Sequence, residues 1–207
     1  MRPQGMSSLF DQLSPNPFQQ FDAWYSEAET AKISHPYTAY LATASLDGEP
    51  SVRTVFWRGQ NAKGYLFFTN YRSQKSVEMI SNPHASLLFH WPQLERQIRI
   101  TGLVEKATES ESDEYWNTRP RESQLNSAAS PQSSALQSRE QLEKLVADLD
   151  SQYKGQPVPR PSNWGGFCLI PKQFEFWQAH PYRLHDRVRY AASGSASKGW
   201  LKELLAP

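Results

Sequence analysis

Apolar positions fall into two rhythms along this chain. Runs rich in β-branched and aromatic residues, bounded by turn residues, mark strands; apolar residues three and four apart mark helices. TAYLATAS (38–45) and SVRTVFWR (51–58) flank the turn LDGEP (46–50), which predicts a β-hairpin. GYLFFTN (64–70) reads as a third strand, and ASLLFHW (85–91) with RQIRITGLVEKA (96–107) as a second antiparallel pair. FCLI (167–170), QFEFW (173–177) and RLHDRVRY (183–190) read as late strands. Asn16 and Pro17 form a cap and first helical position, and Phe18, Phe21, Tyr25 and Ala28 follow at helical spacing, predicting a helix over 17–32. Ser73 is placed to cap a short helix over 74–81, and helical pattern returns at 110–118. Ser138 and Gln141 read as a capping box before a helix through Leu142, Leu145, Val146 and Leu149 to about Tyr153. Residues 1–15, polar and broken by Pro and Gly, read as a mobile arm, and 16–207 as one domain. On composition alone, the Ser/Gln/Ala-rich 123–138 reads as a flexible linker. Strands in hairpins with a few helices between them give an α+β class built mainly on an antiparallel sheet or barrel. No βαβ rhythm, G-x-G-x-x-G or Walker loop is present, which excludes Rossmann and P-loop readings.

Composition narrows this further. Lys plus Arg total 22 against 21 acidic residues, a net charge of +1 over 207 residues, which argues against a nucleic-acid binder driven by bulk charge. The single cysteine, Cys168, allows no internal disulfide and fits a reducing cytoplasm. No apolar run reaches membrane-spanning length, and the first residues lack the apolar core of a secretory signal. Aromatic residues make up 13%, with seven Trp, enough to serve both core packing and the walls of a site for a flat ligand.

Read as a strand, RLHDRVRY puts Arg183, His185, Arg187 and Arg189 on one face. Such a row is either a solvated edge or a pocket for an anion. Three further features point to phosphate. Arg53 and Arg58 share a strand, although their odd separation puts them on opposite faces unless a bulge or the strand end intervenes. TNYRSQKS (69–76) places Lys75 at a helix start, where free N–H groups favour an anion. Tyr115, Arg119 and Ser123 recur every four residues, with Pro120 interrupting the helix that would align them. The five His residues have neither Cys partners nor H-E-x-x-H spacing, so no metal site is expected. No G-x-S-x-G elbow appears, and His185 is the best acid–base candidate, with a purely structural role the alternative.

Taken together, FFTNYRSQKS, LERQIRITG, RPRESQ, SPQSS, PSNWGG and EFWQ followed by RLHDR resemble the pyridoxine/pyridoxamine 5′-phosphate oxidase family, in order and from about Asn16 to Pro207. The resemblance implies an FMN-binding split β-barrel with Greek-key strand order and peripheral helices. It also implies a homodimer with sites at the subunit interface, and oxidation of pyridoxine or pyridoxamine 5′-phosphate to pyridoxal 5′-phosphate. Oxygen would be the electron acceptor, giving hydrogen peroxide. It assigns Arg53, Phe68, Thr69, Ser73, Gln74, Lys75, Gln97, Gln132, Ser133, Trp164 and Arg187 to FMN. Arg58, Tyr115, Arg119 and Ser123 fall to the substrate phosphate, and Arg183 and His185 to the substrate ring as catalytic residues. The chain departs from the family pattern at Arg58, usually Lys; at Gln74, commonly Arg; at His35 and Ala179; and in lacking an N-terminal Arg-Arg-x-Tyr segment. Those departures leave two alternatives: a related flavin oxidase acting on another ring, of the phenazine-forming kind, or a flavin- or pyridoxal-phosphate-binding protein without turnover.

Overall fold

The computed structural model describes residues 9–193 and 199–207. Strands β1 (Thr38–Ala44), β2 (Pro50–Phe56), β3 (Tyr65–Asn70), β4 (His84–Trp91), β5 (Arg96–Lys106), β6 (Trp164–Gln178), β7 (Asp186–Ala192) and β8 (Trp200–Leu205) form one eight-stranded sheet. Its order is β2-β1-β4-β5-β6-β7-β8, with β3 on β6. Every pairing is antiparallel. The first half of β6 lies between β3 and the end of β5; its second half lies between the start of β5 and β7. On the other edge of β3, the Arg58 N–H donates to the Leu66 carbonyl (2.8 Å) and the Leu66 N–H to the Gly59 carbonyl (2.9 Å). This seam closes β1 to β6 into a barrel, and β7 and β8 extend from the lower half of β6. The result is the split β-barrel that the sequence leads one to expect.

Strand β6 corrects one expectation. Segments 167–170 and 173–177 are not separate strands but one bent strand. Gly102 faces Pro171 and Thr101 faces Gln173, which leaves Lys172 as the extra residue of a bulge. Proline donates no hydrogen bond and is tolerated at such a point. Gly102 is required there, because a Cβ would sit 1.9 Å from the Ile170 carbonyl oxygen.

Leu41, Phe67, Phe89, Ile98, Ile100, Phe174 and Phe176 fill the barrel. Helix α2 (Pro17–Thr30) covers it with Phe21 and Trp24, Phe21 meeting Tyr65 and Phe89 edge-on. Asn16 caps α2 as expected, its side chain accepting the Phe18 N–H at 3.0 Å. The expected mobile arm is partly seated. Residues 1–8 lie outside the described residues, but Leu9–Gln12 form a helical turn, α1, and Leu9 and Leu13 are buried. Lys202 donates to the Phe10 and Leu13 carbonyls, and the Tyr190 hydroxyl to the Ser14 carbonyl (2.7 Å). This part of the arm is therefore held to β7 and β8.

Helix α3 (Gln74–Ser81) follows β3, and helices α4 (Glu109–Thr118), α5 (Arg121–Ala129) and α6 (Arg139–Gln152) form a second layer around Trp116, Leu125, Val158 and Trp164. Helix α5 runs to Ala129, so 123–138 is not a linker throughout. Ser138 caps α6 by accepting the Gln141 N–H, but the Gln141 side chain turns to the Gln137 N–H, so the capping box is half formed. Among the described residues no helix is long and apolar enough to cross a membrane.

Strand β7 starts at Asp186, paired with Gln178. Arg183 and His185 precede it, in a connection whose Tyr182 (φ 59°) and Arg183 (φ 61°) are left-handed. The expected four-residue face is thereby corrected: Arg187 and Arg189 share it, while Arg183 and His185 belong to the loop.

Candidate functional site

A cleft of about 780 Å³ opens between the ends of β2 and β3 and helices α4 and α5. Nine of the expected site residues line it: Phe68, Thr69, Lys75, Gln132 and Trp164 from the FMN set, and Arg58, Tyr115, Arg119 and Ser123 from the phosphate set. Helix α4 ends where Arg119 leaves helical geometry (φ −79°, ψ 143°) before Pro120, and α5 starts just beyond. Tyr115, Arg119 and Ser123 meet at this corner rather than along one helix face. Arg58 reaches the cleft because β2 stops at Phe56. Its neighbour in sequence space, Arg53, remains on the strand and does not line the cleft.

The walls are aromatic. Phe68 stacks on Tyr115 at 4.1 Å between centroids, and Trp164 lies within 15° of parallel to both. The two cleft guanidiniums rest on rings instead of carboxylates: Arg119 over Trp164 (4.7 Å), Arg58 over Tyr37 (4.8 Å). Arg119 Nη2 donates to Ser127 Oγ at 2.8 Å, while Arg119 Nη1 and Arg58 Nε are buried without a hydrogen-bond partner. Burial above all, and then the charge of Arg58, push the Arg119 guanidinium below its ordinary value, with Tyr115 pulling the other way. Two neighbouring cations, each with a buried donor nitrogen left open, can receive an anion.

Also lining the cleft, Lys75 Nζ lies 3.4 Å from Thr69 Oγ1, which donates to Gln132 Oε1 at 3.0 Å. Burial, then the charge of Arg53, lower the Lys75 ammonium; Glu78 opposes them. Ser73, expected to cap α3, does not: its hydroxyl faces Lys75 and Ser76. Behind Lys75, Glu78 accepts from Ser51 (2.7 Å), Thr43 (2.5 Å), Gln74 (2.9 Å) and Arg53 (3.3 Å). Arg53 also donates to Thr43, Ser51 and the Leu41 carbonyl. Its Nη donors are therefore turned inward.

Burial alone would raise the Glu78 carboxyl, but the bonds from Ser51, Thr43 and Gln74, with the Arg53 charge, hold it below its ordinary value. A carboxylate lowered on folding adds stability above its unfolded pKa, and that share vanishes as pH falls through the folded value. Unfolding followed in urea between about pH 3 and 7 should show wild type losing stability over the acidic end, and Glu78→Gln lacking that component of the slope. Cys168 is buried beside Asn61, and burial raises its thiol to about 11, which removes it as a nucleophile.

Gln97, Ser133, Arg183, His185 and Arg187 do not line the cleft. Ser133 follows Gln132 in a left-handed conformation (φ 71°). Gln97 and Arg187 flank Trp177 on neighbouring strands, and the His185 ring lies 4.8 Å from that of Trp177. Paired residues share a sheet face. The row Thr54, Tyr40, Leu88, Arg99, Glu175, Arg189 crosses the sheet from β2 to β7, so Gln97 and Arg187 share a face with cleft-lining Thr54 and Phe56. Tyr40, Val52 and Phe56 are exposed on it. Glu175, only 4% exposed, bridges Arg99 and Arg187; burial would raise its carboxyl, but both guanidiniums hold it low. Ser127 was missed from sequence, although it stands one helical turn from Ser123, a spacing that could have flagged it.

Residues 26–165 match the model of the pyridoxamine 5′-phosphate oxidase family, and residues 164–207 that of the pyridoxine 5′-phosphate oxidase C-terminal dimerisation region. The chain belongs to the pyridoxamine 5′-phosphate oxidase family. Curated relatives include pyridoxine/pyridoxamine 5′-phosphate oxidases from Burkholderia thailandensis, 46% identical over 94% of this chain and 91% of that one, and Rubrobacter xylanophilus, 46% identical over 95% and 89%. Among solved structures, PhzG from Burkholderia lata, in complex with tetrahydrophenazine-1-carboxylic acid, superimposes with a TM-score of 0.90 at 32% identity, covering 99% of this chain and 98% of that one. A pyridoxamine 5′-phosphate oxidase-related, FMN-binding protein from Nostoc punctiforme shares the fold at a TM-score of 0.72 and 19% identity, over 94% of this chain and all of that one. Family membership carries oxidoreductase chemistry with FMN as cofactor, and the dimerisation region supports a homodimer. The cleft suits FMN in kind: flat aromatic walls, a buried ammonium and amide and hydroxyl donors.

Proposed function

We propose that this protein oxidises pyridoxine 5′-phosphate and pyridoxamine 5′-phosphate to pyridoxal 5′-phosphate in the cytoplasm, with oxygen as final acceptor and hydrogen peroxide as by-product. The observation that carries this reading is a pair of half-buried guanidiniums, Arg58 and Arg119, each with one buried donor nitrogen that has no partner, in an aromatic cleft. A phosphate monoester brings about −1.5 to −2 charge and several acceptors, which matches two cations, the Tyr115 hydroxyl and Ser123. Lys75, Thr69 and Gln132 would hold FMN, with Arg53, Ser73 and Gln74 behind them. When bound, FMN supplies the two-electron acceptor. The protein's contribution is orientation: anchoring both phosphates fixes how the two ring systems face each other.

The uncovered sheet face supports assembly of the site by two protomers. A twofold contact through it would let Gln97, Arg187, Arg183 and His185 of one copy reach the cleft of the other, since cleft-lining Thr54 and Phe56 share that face. The Trp177–His185 contact and the Glu175–Arg187 pair would then hold the donated groups in place.

A second reading, oxidation of a reduced phenazine carboxylic acid, draws on the likeness to PhzG over nearly the whole chain. The two differ in what faces Arg58 and Arg119: a dianionic phosphate or a single carboxylate. Purified protein should be yellow and release hydrogen peroxide aerobically with both phosphorylated B6 vitamers, but not with unphosphorylated pyridoxine or a reduced phenazine carboxylate. Turnover of the phenazine alone would replace the first reading by the second. Colourless protein that takes up no FMN would remove both.

A further inference from the structure

The connection between β6 and β7, residues 179–185, carries Arg183 and His185 on a backbone that needs support. Tyr182 (φ 59°, ψ 24°) and Arg183 (φ 61°) are consecutive left-handed residues, and neither is glycine or asparagine. Such geometry persists only where its surroundings hold it. One residue supplies two of the holds. His180 Nε2 lies 2.9 Å from Asp186 Oδ2, on the buried first residue of β7. The His180 main-chain N–H donates to His185 Nδ1 at 3.2 Å.

The second bond has a chemical consequence. A main-chain N–H can only donate, so His185 Nδ1 must accept, and the neutral ring carries its proton on Nε2. His185 therefore carries its N–H donor at Nε2. The side chain and the main chain of His180 act together: the bond to Asp186 fixes where the His180 peptide sits, and that peptide fixes the His185 tautomer.

We infer that His180 is a positioning residue, a latch that holds the Asp186 end of the loop so that His185 keeps its Nε2–H form and Arg183 keeps its left-handed placement. The inference rests on the reading in which Arg183 and His185 serve the substrate, and its test separates the two.

Full-length FMN-loaded wild type, His180→Ala and His180→Gln are compared; the Gln amide can still donate to Asp186. Nitrogen-15 imidazole spectra should show His185 in the Nε2–H form in wild type and H180Q, and a mixture of tautomers in H180A. With pyridoxine 5′-phosphate, kcat should fall about tenfold or more in H180A, because small losses of placement are costly in rate. It should stay near wild type in H180Q, with FMN affinity equal in all three. Should H180A not fold, Asp186→Asn, which weakens the same bond from its other end, should give the H180A spectrum. Unchanged His185 tautomer and kcat in H180A would overturn the latch, as would a Gln variant no better than Ala. Wild-type protein inactive on pyridoxine 5′-phosphate would instead sink the proposed reaction, and the imidazole spectra would still decide the latch.

Discussion

Arg119→Ala should raise KM for pyridoxine 5′-phosphate by about 10- to 100-fold, the cost of losing charge-assisted bonds of roughly 1.5–3 kcal/mol, while FMN stays bound. The expected asymmetry follows from position. Arg119 stands at the α4–α5 corner with Arg58 and Ser123, and its guanidinium lies over Trp164 and Trp116. Lys75, Thr69 and Gln132 form a separate chain of contacts in the cleft lining, with no bond to Arg119. Steady-state kinetics with flavin content measured on the same samples checks both halves. Arg119→Lys should recover part of the loss, since it restores charge without the planar fork. Flavin loss with unchanged KM would reverse the assignment of the two sets.

The largest expected effect on stability is at Gly102. A methyl group there would lie 1.9 Å from the Ile170 carbonyl oxygen and 2.8 Å from its carbon, both backbone atoms of the central strand. Relief requires β5 and β6 to separate at the bulge, so Gly102→Ala should cost about 3 kcal/mol or more. The melting temperature should fall by roughly 6–12 °C for a chain of this size. Gly48→Ala is the matched control: its φ of +85° carries a conformational cost, but nothing lies within 4 Å of the added methyl. It should lose only about 1 kcal/mol. Calorimetric melts of the two variants beside wild type make the comparison; equal losses would mean that the β5–β6 contact yields easily.

The hairpin of β1 and β2 and the Asn16–Pro17 start of α2 were legible because each is written in local chemistry, turn residues and a cap; the Lys75 helix forms where expected although its expected cap, Ser73, makes no capping bond. The cleft was only half legible. Spacing linked Tyr115, Arg119 and Ser123, yet Pro120 forbade the single helix that would align them, and only the corner it creates brings them together. The placement of Arg183 and His185 was not legible, since nothing in PYRLH signals two successive left-handed residues. The loop's recorded side-chain contacts run through His180 and His185 to Asp186 and Trp177, which no local pattern announces. Strand β8 was likewise not anticipated, because pairing with β7 defines it. The face shared by Thr54, Gln97 and Arg187 emerges only from strand register, which no local pattern encodes.

Arg58 belongs to the seam as well as to the cleft: its main-chain N–H helps join the segment after β2 to β3, while its side chain lines the cleft. Any compound that grips that guanidinium also tethers the closing edge of the cylinder. Occupancy and barrel integrity thus become one equilibrium, in which breathing of the cylinder loosens the guest and a firmly lodged guest quiets the breathing.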